Sequence, residues 1–391
     1  MRIGINASFL RKPGTGIGQV SVYFLQTLAE LIAEKKQFTE HTFILYCEEV
    51  PQLSFALPSN FTIKHFLPWW KRDDLLRKYL WEKQVAPEAI KDACDAFLSL
   101  YQSATVFPEI WSGGQPKTIR HTMVVHDIIP RLFSEYRGNM RQAFYWKMVE
   151  RGIRAAQHIV AMSEHTKQDI VREFNIPEHT LSVAYPAVAP HFRVPITEET
   201  VKTVLQKYHL ALGYIYHGGG LEVRKNTETV LRAYKVLVTK NPTLPPLVIS
   251  GKIFPVSNAL ATDVRGLVAT LGLQERVQLL GFIPDADLPA LYKGARVFIY
   301  SSLYEGFGLP VLEALCVGVP TIASSAASLP EVGGNAVVYV NPHNVGAVAE
   351  AIERVINDRG TRETLIARGV SHIYQFRWDI FVQKIFAHII Q

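Results

Sequence analysis

The sequence predicts an α/β fold built from two doubly wound, Rossmann-like domains, and three observations carry that expectation. Short apolar runs alternate with stretches whose apolar residues recur at helical spacing, the pattern of parallel strands joined by crossover helices. The alternation breaks around YPAVAPHFRVPITEE (185–199), where Pro186, Pro190 and Pro195 mark an extended linker, and then restarts. At 391 residues the chain is too long for one ordinary core.

In the first half, RIGINA (2–7) reads as a buried strand and RKPGTGIGQ (11–19) as a glycine-rich turn. A helical pattern follows over 20–33. HTFILYC (41–47), AFLSL (96–100), TMVVHD (122–127) and HIVAMS (158–163) read as further strands, and 135–156 as helix. In the second half YIYHGGG (214–220), LPPLVISGK (244–252), RVQLLGF (276–282), RVFIYSS (296–302), VPTIASS (319–325) and AVVYVN (336–341) are strand candidates. Such domains face a cleft, with ligands beyond the carboxyl ends of the strands. The expected boundaries are 1–188 and 189–375, followed by an amphipathic helix over 376–391.

Composition narrows the function. Hydrophobic residues make up 48% and charged residues 19%, as in a soluble globular protein. No apolar run approaches the ~18 residues of a membrane span. MRIGINASFL lacks the marks of a signal peptide, so a cytoplasmic protein is expected. Cys47, Cys94 and Cys316 suit neither a disulfide framework nor a metal site, and read as buried thiols. The net charge of +6 fits an anionic small ligand or loose contact with the inner face of a membrane. No basic stripe interleaved with aromatics calls for nucleic acid. FLPWWKRDDLLRKYLWEKQV (66–85) has the tryptophans of a membrane-surface helix, but Asp73, Asp74 and Glu82 dilute its charge. Packing is the preferred reading, with the 69–72 turn as an acceptor or membrane contact.

The chemistry concentrates in SSLYEGFGLPVLEALCVG (301–318). A strand enters a glycine-rich turn and a helix begins near Leu309, with Pro310 in its first turn. Such a helix start presents N–H groups and a positive dipole end to an anion, and Gly306 and Gly308 let the backbone approach it. Glu305 and Glu313 repel phosphate but accept hydrogen bonds from hydroxyls. A sugar nucleotide, with phosphates between two hydroxyl-rich rings, meets both demands. As isolated residues the two acids would read as a turn residue and a solvated helix residue; the strand–glycine–helix context argues against that. GGGLEVRKN (218–226) repeats the design: a strand ends in glycines, and Arg224 and Lys225 precede a helix. Basic charge at a helix start is unfavourable unless an anion compensates it.

These motifs resemble the retaining glycosyltransferases of family four, also called group 1, which have the GT-B fold; the resemblance implies that 1–188 binds the acceptor, that 189–375 binds the nucleotide sugar and that the last helix returns to the first domain. The E-x(7)-E pair Glu305/Glu313, the loop GFGLP, the downstream SLPEV, AMSEHTKQDIVREF (161–174) and the GTGIG loop are all similar to that family. The resemblance implies that Glu305 holds donor-sugar hydroxyls and Glu313 the ribose hydroxyls. It implies that N–H groups of Gly306, Phe307, Gly308 and Leu309 meet the distal phosphate and sugar, with Gly219 and Gly220 close by. Lys225 would contact the diphosphate and Lys252 would lie near the nucleotide. Phe282 and Ile283 would meet the nucleobase through the main chain. His126, in VVHDIIP (124–130), would lie near donor sugar and acceptor, and Gly14, Gly16 and Gly18 near phosphate and acceptor. Asp127 reads as structural. Many members carry arginine at the position of Gly220; here Arg224 either takes over that contact or points to solvent.

The implied reaction is transfer of a hexose to a hydroxyl of a saccharide or lipid-linked acceptor, with retention and without a metal or cofactor. The RKN loop resembles bacterial mannosyl- and rhamnosyl-transferring members that build surface polysaccharides, which favours GDP-mannose. UDP-glucose and UDP-N-acetylglucosamine stay open, as does a non-catalytic sugar-nucleotide-binding protein. An epimerase lacks its set of acid–base carboxylates here, and a phosphorylase its pyridoxal-bearing lysine.

Overall fold

The computed structural model describes residues 1–70, 72, 75–112, 115–253 and 258–390. The chain separates into two compact units, Met1–Pro186 with Phe376–Gln391, and Ala187–Gln375. The first break thus falls at 186, where the prolines suggested 188.

The first unit contains β1 (Arg2–Asn6), β2 (Thr42–Cys47), β3 (Phe61–His65), β4 (Ala96–Ser99), the hairpin strands β5 (Ile110–Ser112) and β6 (Gln115–Lys117), β7 (Arg120–Val125), β8 (His158–Ala161) and β9 (Leu181–Val183). All but the hairpin form one parallel sheet in the order β3-β2-β1-β4-β7-β8-β9. Its central strands are apolar on both faces, because helices cover both sides of a parallel sheet: Ile3, Ile5, Phe43, Leu45, Phe97, Leu98 and Val124 are fully buried. β3 and β9 were not anticipated. FTIKH is half exposed and LSV is three residues long, so neither carries the continuous apolar run of an inner strand.

The helix Gly16–Ala33 starts at Thr15, whose Oγ1 accepts the Gly18 N–H at 3.1 Å. Gly18 lies against the Lys12 carbonyl, where a Cβ would come within 1.9 Å. The helix Met140–Ala155 starts later than expected, because Gly138 and the Asn139–Gln142 capping box fix its origin. The segment 66–85 packs as preferred, in that Trp81 on the helix Leu75–Lys91 is fully buried and donates to the Phe66 carbonyl at 3.0 Å. Trp69 is 72% exposed. Residues 71, 73 and 74 lie outside the described residues, so the 69–72 turn is described only in part. The last helix, Trp378–Phe386, belongs to this unit. Phe381 and Phe386 meet Phe24 at centroid distances of 6.2 Å each, and Phe386 also meets Phe43 at 5.9 Å. Each buried phenylalanine contributes roughly 1.5–3 kcal/mol.

The second unit contains β10 (Tyr214–His217), β11 (Leu247–Ser250), β12 (Val277–Gly281), β13 (Ala295–Tyr300), β14 (Thr321–Ser324) and β15 (Val337–Val340). The sheet is parallel throughout, in the order β12-β11-β10-β13-β14-β15. Ile215, Ile249, Val297, Ile299 and Ile322 form its core with Val230, Tyr234, Val348 and Ile352 from the covering helices. Strand order reverses between β10 and β13, the kind of switch point at whose carboxyl ends doubly wound sheets bind ligands. Among the described residues no helix is long and apolar enough to cross a membrane.

Candidate active site

The loops leaving β10 and β13 meet at the switch point of the second unit. After Tyr300 the hydroxyls of Ser301 and Ser302 turn back to the carbonyls of residues 224–226, at 3.0–3.3 Å. Leu303 N–H donates to the Arg224 carbonyl at 2.7 Å. These bonds fasten the acidic loop to the basic one.

Glu305, 8% exposed, lies at the centre. Its Oε1 receives Lys225 Nζ at 2.7 Å, Arg224 Nη1 at 2.8 Å, Ser302 Oγ at 2.6 Å and the Tyr300 hydroxyl at 2.9 Å. Burial alone would raise the carboxyl's pKa; Lys225 and Arg224 outweigh it and hold the group down at about 2. Burial draws the Lys225 ammonium below its ordinary value, against the pull of Glu305. Arg224 does not point to solvent. Its Nε pairs with Glu222 at 2.8 Å and its Nη1 also donates to the Tyr304 carbonyl at 3.2 Å. Gly220, where the family resemblance led one to expect arginine, has φ of 108°, a conformation that disfavours any side chain.

The helix Leu309–Val317 follows directly. Gly308 precedes it with φ of 121°, and the N–H groups of Gly308 and Leu309 make no hydrogen bond to described residues. Ser328, from the SLPEV motif, donates to the carbonyls of Glu305 at 2.9 Å and Phe307 at 2.6 Å, which fixes the turn. One helical turn on, Glu313 Oε2 accepts the Tyr292 hydroxyl at 3.0 Å. Burial pushes this carboxyl up to about 7, against that bond and with help from the negative charge of Asp285. Asp285 follows Phe282 and Ile283, so Glu313 and the loop after β12 share an electrostatic neighbourhood. Phe282 is 74% exposed and Ile283 is buried. Lys252 is exposed after β11. The carboxyl ends of four adjacent strands thus carry Phe282–Ile283, Lys252, Gly219–Lys225 and Glu305–Leu309.

The remaining expected residues belong to the first unit. Gly14 and Gly16 are open, with nothing near the position of a Cβ, whereas Gly18 is closely packed. His126 follows β7. Its Nε2 bonds the Leu100 carbonyl at 2.9 Å, so this nitrogen carries the proton, and burial lowers the pKa to about 4. Near neutral pH Nδ1 is therefore an acceptor, suited to orient a hydroxyl and unable to protonate one. Asp127 accepts the Ile129 N–H at 3.0 Å, a local turn. Tyr300, Ser302, Ser328 and Tyr292 were not singled out from sequence; SLPEV was quoted for its family likeness, without a role for its serine. Among the described residues no group of three or more histidine, cysteine or acidic side chains is placed to hold a metal.

The family models for glycosyl transferases group 1 and Glycosyltransferase Family 4 match residues 213–372 and 20–192. The O-antigen chain mannosyltransferase B of Escherichia coli is 31% identical over 97% of both chains. The chain belongs to the family 4, group 1 glycosyltransferases. The O-antigen chain mannosyltransferase RfbU of Salmonella typhimurium is 23% identical over 90% of both chains. Among solved structures this glycosyltransferase resembles WaaG, a glycosyltransferase involved in lipopolysaccharide biosynthesis, with TM-score 0.73 and 13% identity over 100% of this chain and 99% of that one. It also resembles Anabaena HepE crystallised with UDP-glucose, with TM-score 0.69 and 15% identity over 99% of both chains. These likenesses place it in the GT-B fold.

Proposed function

We propose that the protein transfers mannose from GDP-mannose to a hydroxyl of a saccharide or lipid-linked saccharide, with retention of configuration and without a metal, in the synthesis of a cell-surface polysaccharide. The observation that carries this reading is the cluster of Lys225, Arg224 and Glu305 beside the start of the helix Leu309–Val317. It combines cations and N–H groups for a diphosphate with a carboxylate, ionised at neutral pH, for ring hydroxyls. The choice of mannose is supported by the O-antigen mannosyltransferases, of which one is similar along nearly its whole length.

The bond from C1 to the diphosphate oxygen breaks, and Lys225 with the Gly308 and Leu309 N–H groups stabilises the departing negative charge. The acceptor oxygen forms its bond to C1 on the same face, and its proton passes to the leaving phosphate oxygen. Glu305 holds donor-sugar hydroxyls, being committed to cations and hydroxyls in a way that suits anchoring better than attack. Glu313 holds the ribose, and Nδ1 of His126 accepts from a hydroxyl. Retention is read from the anomeric proton of the product by NMR.

Thermal shifts with GDP, UDP, ADP and dTDP test the donor, because a ligand that binds only the folded state raises its melting temperature. Stabilisation by GDP and turnover of GDP-mannose are expected. Stabilisation by UDP alone would replace mannose with a UDP-sugar donor.

A further inference from the structure

The first unit has its own switch point, between β1 and β4, which lead to Phe9 and Tyr101. Lys78, from the helix Leu75–Lys91, extends its ammonium between these rings. Nζ lies 4.5 Å from the centroid of Phe9, 4.6 Å from that of Tyr101 and 5.2 Å from that of Tyr145. Among the described residues it makes no hydrogen bond and no ion pair.

The acids whose charge it feels are committed elsewhere. Glu82 accepts the Tyr101 hydroxyl at 2.8 Å, the Tyr145 hydroxyl at 3.0 Å and the Ala104 N–H at 3.0 Å. Glu48 is bound by Arg11 at 3.2 Å and Arg77 at 2.9 Å. Arg11 and Lys12 add positive charge around Lys78. The result is a half-buried ammonium with three N–H donors facing ring surfaces, at the place where a doubly wound sheet takes its ligand. Cation–π attraction offsets part of the desolvation, and the donors still require acceptors.

We infer that Lys78, framed by Phe9, Tyr101 and Tyr145, binds a phosphoryl group of the acceptor. The inference rests on the reading that the first unit carries the acceptor. The phosphoryl group belongs either to a soluble sugar phosphate or to a lipid-borne phosphate.

Two variants are compared with the full-length protein after circular dichroism has shown them folded. Lys78→Met keeps the length and apolar body of the side chain; Lys225→Met removes the cation of the donor site. One arm titrates inorganic phosphate by calorimetry with saturating GDP present, and the other measures binding to phosphatidylcholine vesicles containing phosphatidic acid. Lys78→Met is expected to weaken one of these at least tenfold and to leave GDP binding unchanged. Loss in the phosphate arm assigns a soluble ligand, and loss in the vesicle arm a lipid-borne one. Equal binding by Lys78→Met and the unaltered protein in both arms would overturn the inference. Lys225→Met reports on GDP separately, so failure of the donor reading is distinguishable from failure of this one.

Discussion

Lys225 and Glu305, 80 residues apart in sequence, are joined through a single carboxylate oxygen, Oε1, at 2.7 Å. The same oxygen takes Arg224, Ser302 and Tyr300. The basic loop after β10 and the acidic loop after β13 therefore order each other before any ligand arrives. Lys225→Ala is expected to lower kcat/KM by about 100- to 1,000-fold, the scale of losing one stabilising contact to developing charge. GDP affinity should fall in parallel, as calorimetry would show; unchanged kinetics would remove Lys225 from the phosphate site.

Glu305→Gln keeps the shape of the side chain and removes the charge that balances two cations. Breaking a buried pair from one side costs about 3–5 kcal/mol. Urea denaturation should show the larger part of that loss, and activity should fall with it. Full stability would mean that solvent or another acid reaches Lys225 and Arg224.

The two acids of the E-x(7)-E pair respond to pH in opposite senses. Glu305 is held at about 2, below its ordinary value, so its stabilising contribution is present above the unfolded-state pKa and lost as pH falls toward 2. Glu313 is raised to about 7, so its ionisation destabilises the ligand-free protein as pH rises from about 4.5 through 7, by on the order of 3 kcal/mol. The melting temperature of Glu313→Gln should rise relative to the unaltered protein across that interval. Nucleoside diphosphate affinity of the unaltered protein should increase over the same interval, because the proposed contact of Glu313 with ribose hydroxyls needs an ionised acceptor. A pH-independent difference between the two proteins would contradict the assignment.

Gly308→Ala is expected to destabilise the second unit by about 1–3 kcal/mol, the cost of placing a side chain at φ of 121°. The new Cβ would also come within 2.6 Å of Leu329 Cδ2. Because this backbone positions the helix start, GDP binding should weaken as well, measured by thermal shift with and without the nucleotide.

Most strands and the turn into the helix Leu309–Val317 were legible in the sequence because each has a local signature. Inner parallel strands are continuous apolar runs, and GFGLP announces a turn into a helix. β3 and β9 were not, since an edge strand with Lys64 and His65 or only LSV has no such run. Arg224 illustrates the limit at the site. Its spacing suggested a phosphate contact or a solvated side chain, but its fixed geometry comes from Glu222, Tyr304 and Glu305, the last two of which arrive from the loop after β13. Likewise nothing in the pattern around Tyr292 linked it to Glu313, because that bond depends on how two helices pack.

The rings of Phe381 and Phe386 complete the surface of Phe24 and Phe43 from the far end of the chain. During translation, at ~5–20 residues per second, the strands of the first sheet emerge before residues 187–375, and the helix that covers Phe24 and Phe43 only after them. The second unit, being contiguous, has its whole sequence available earlier. The first unit is thus interrupted in sequence by the whole of the second, and its sheet cannot be fully covered until residues 187–375 have been made.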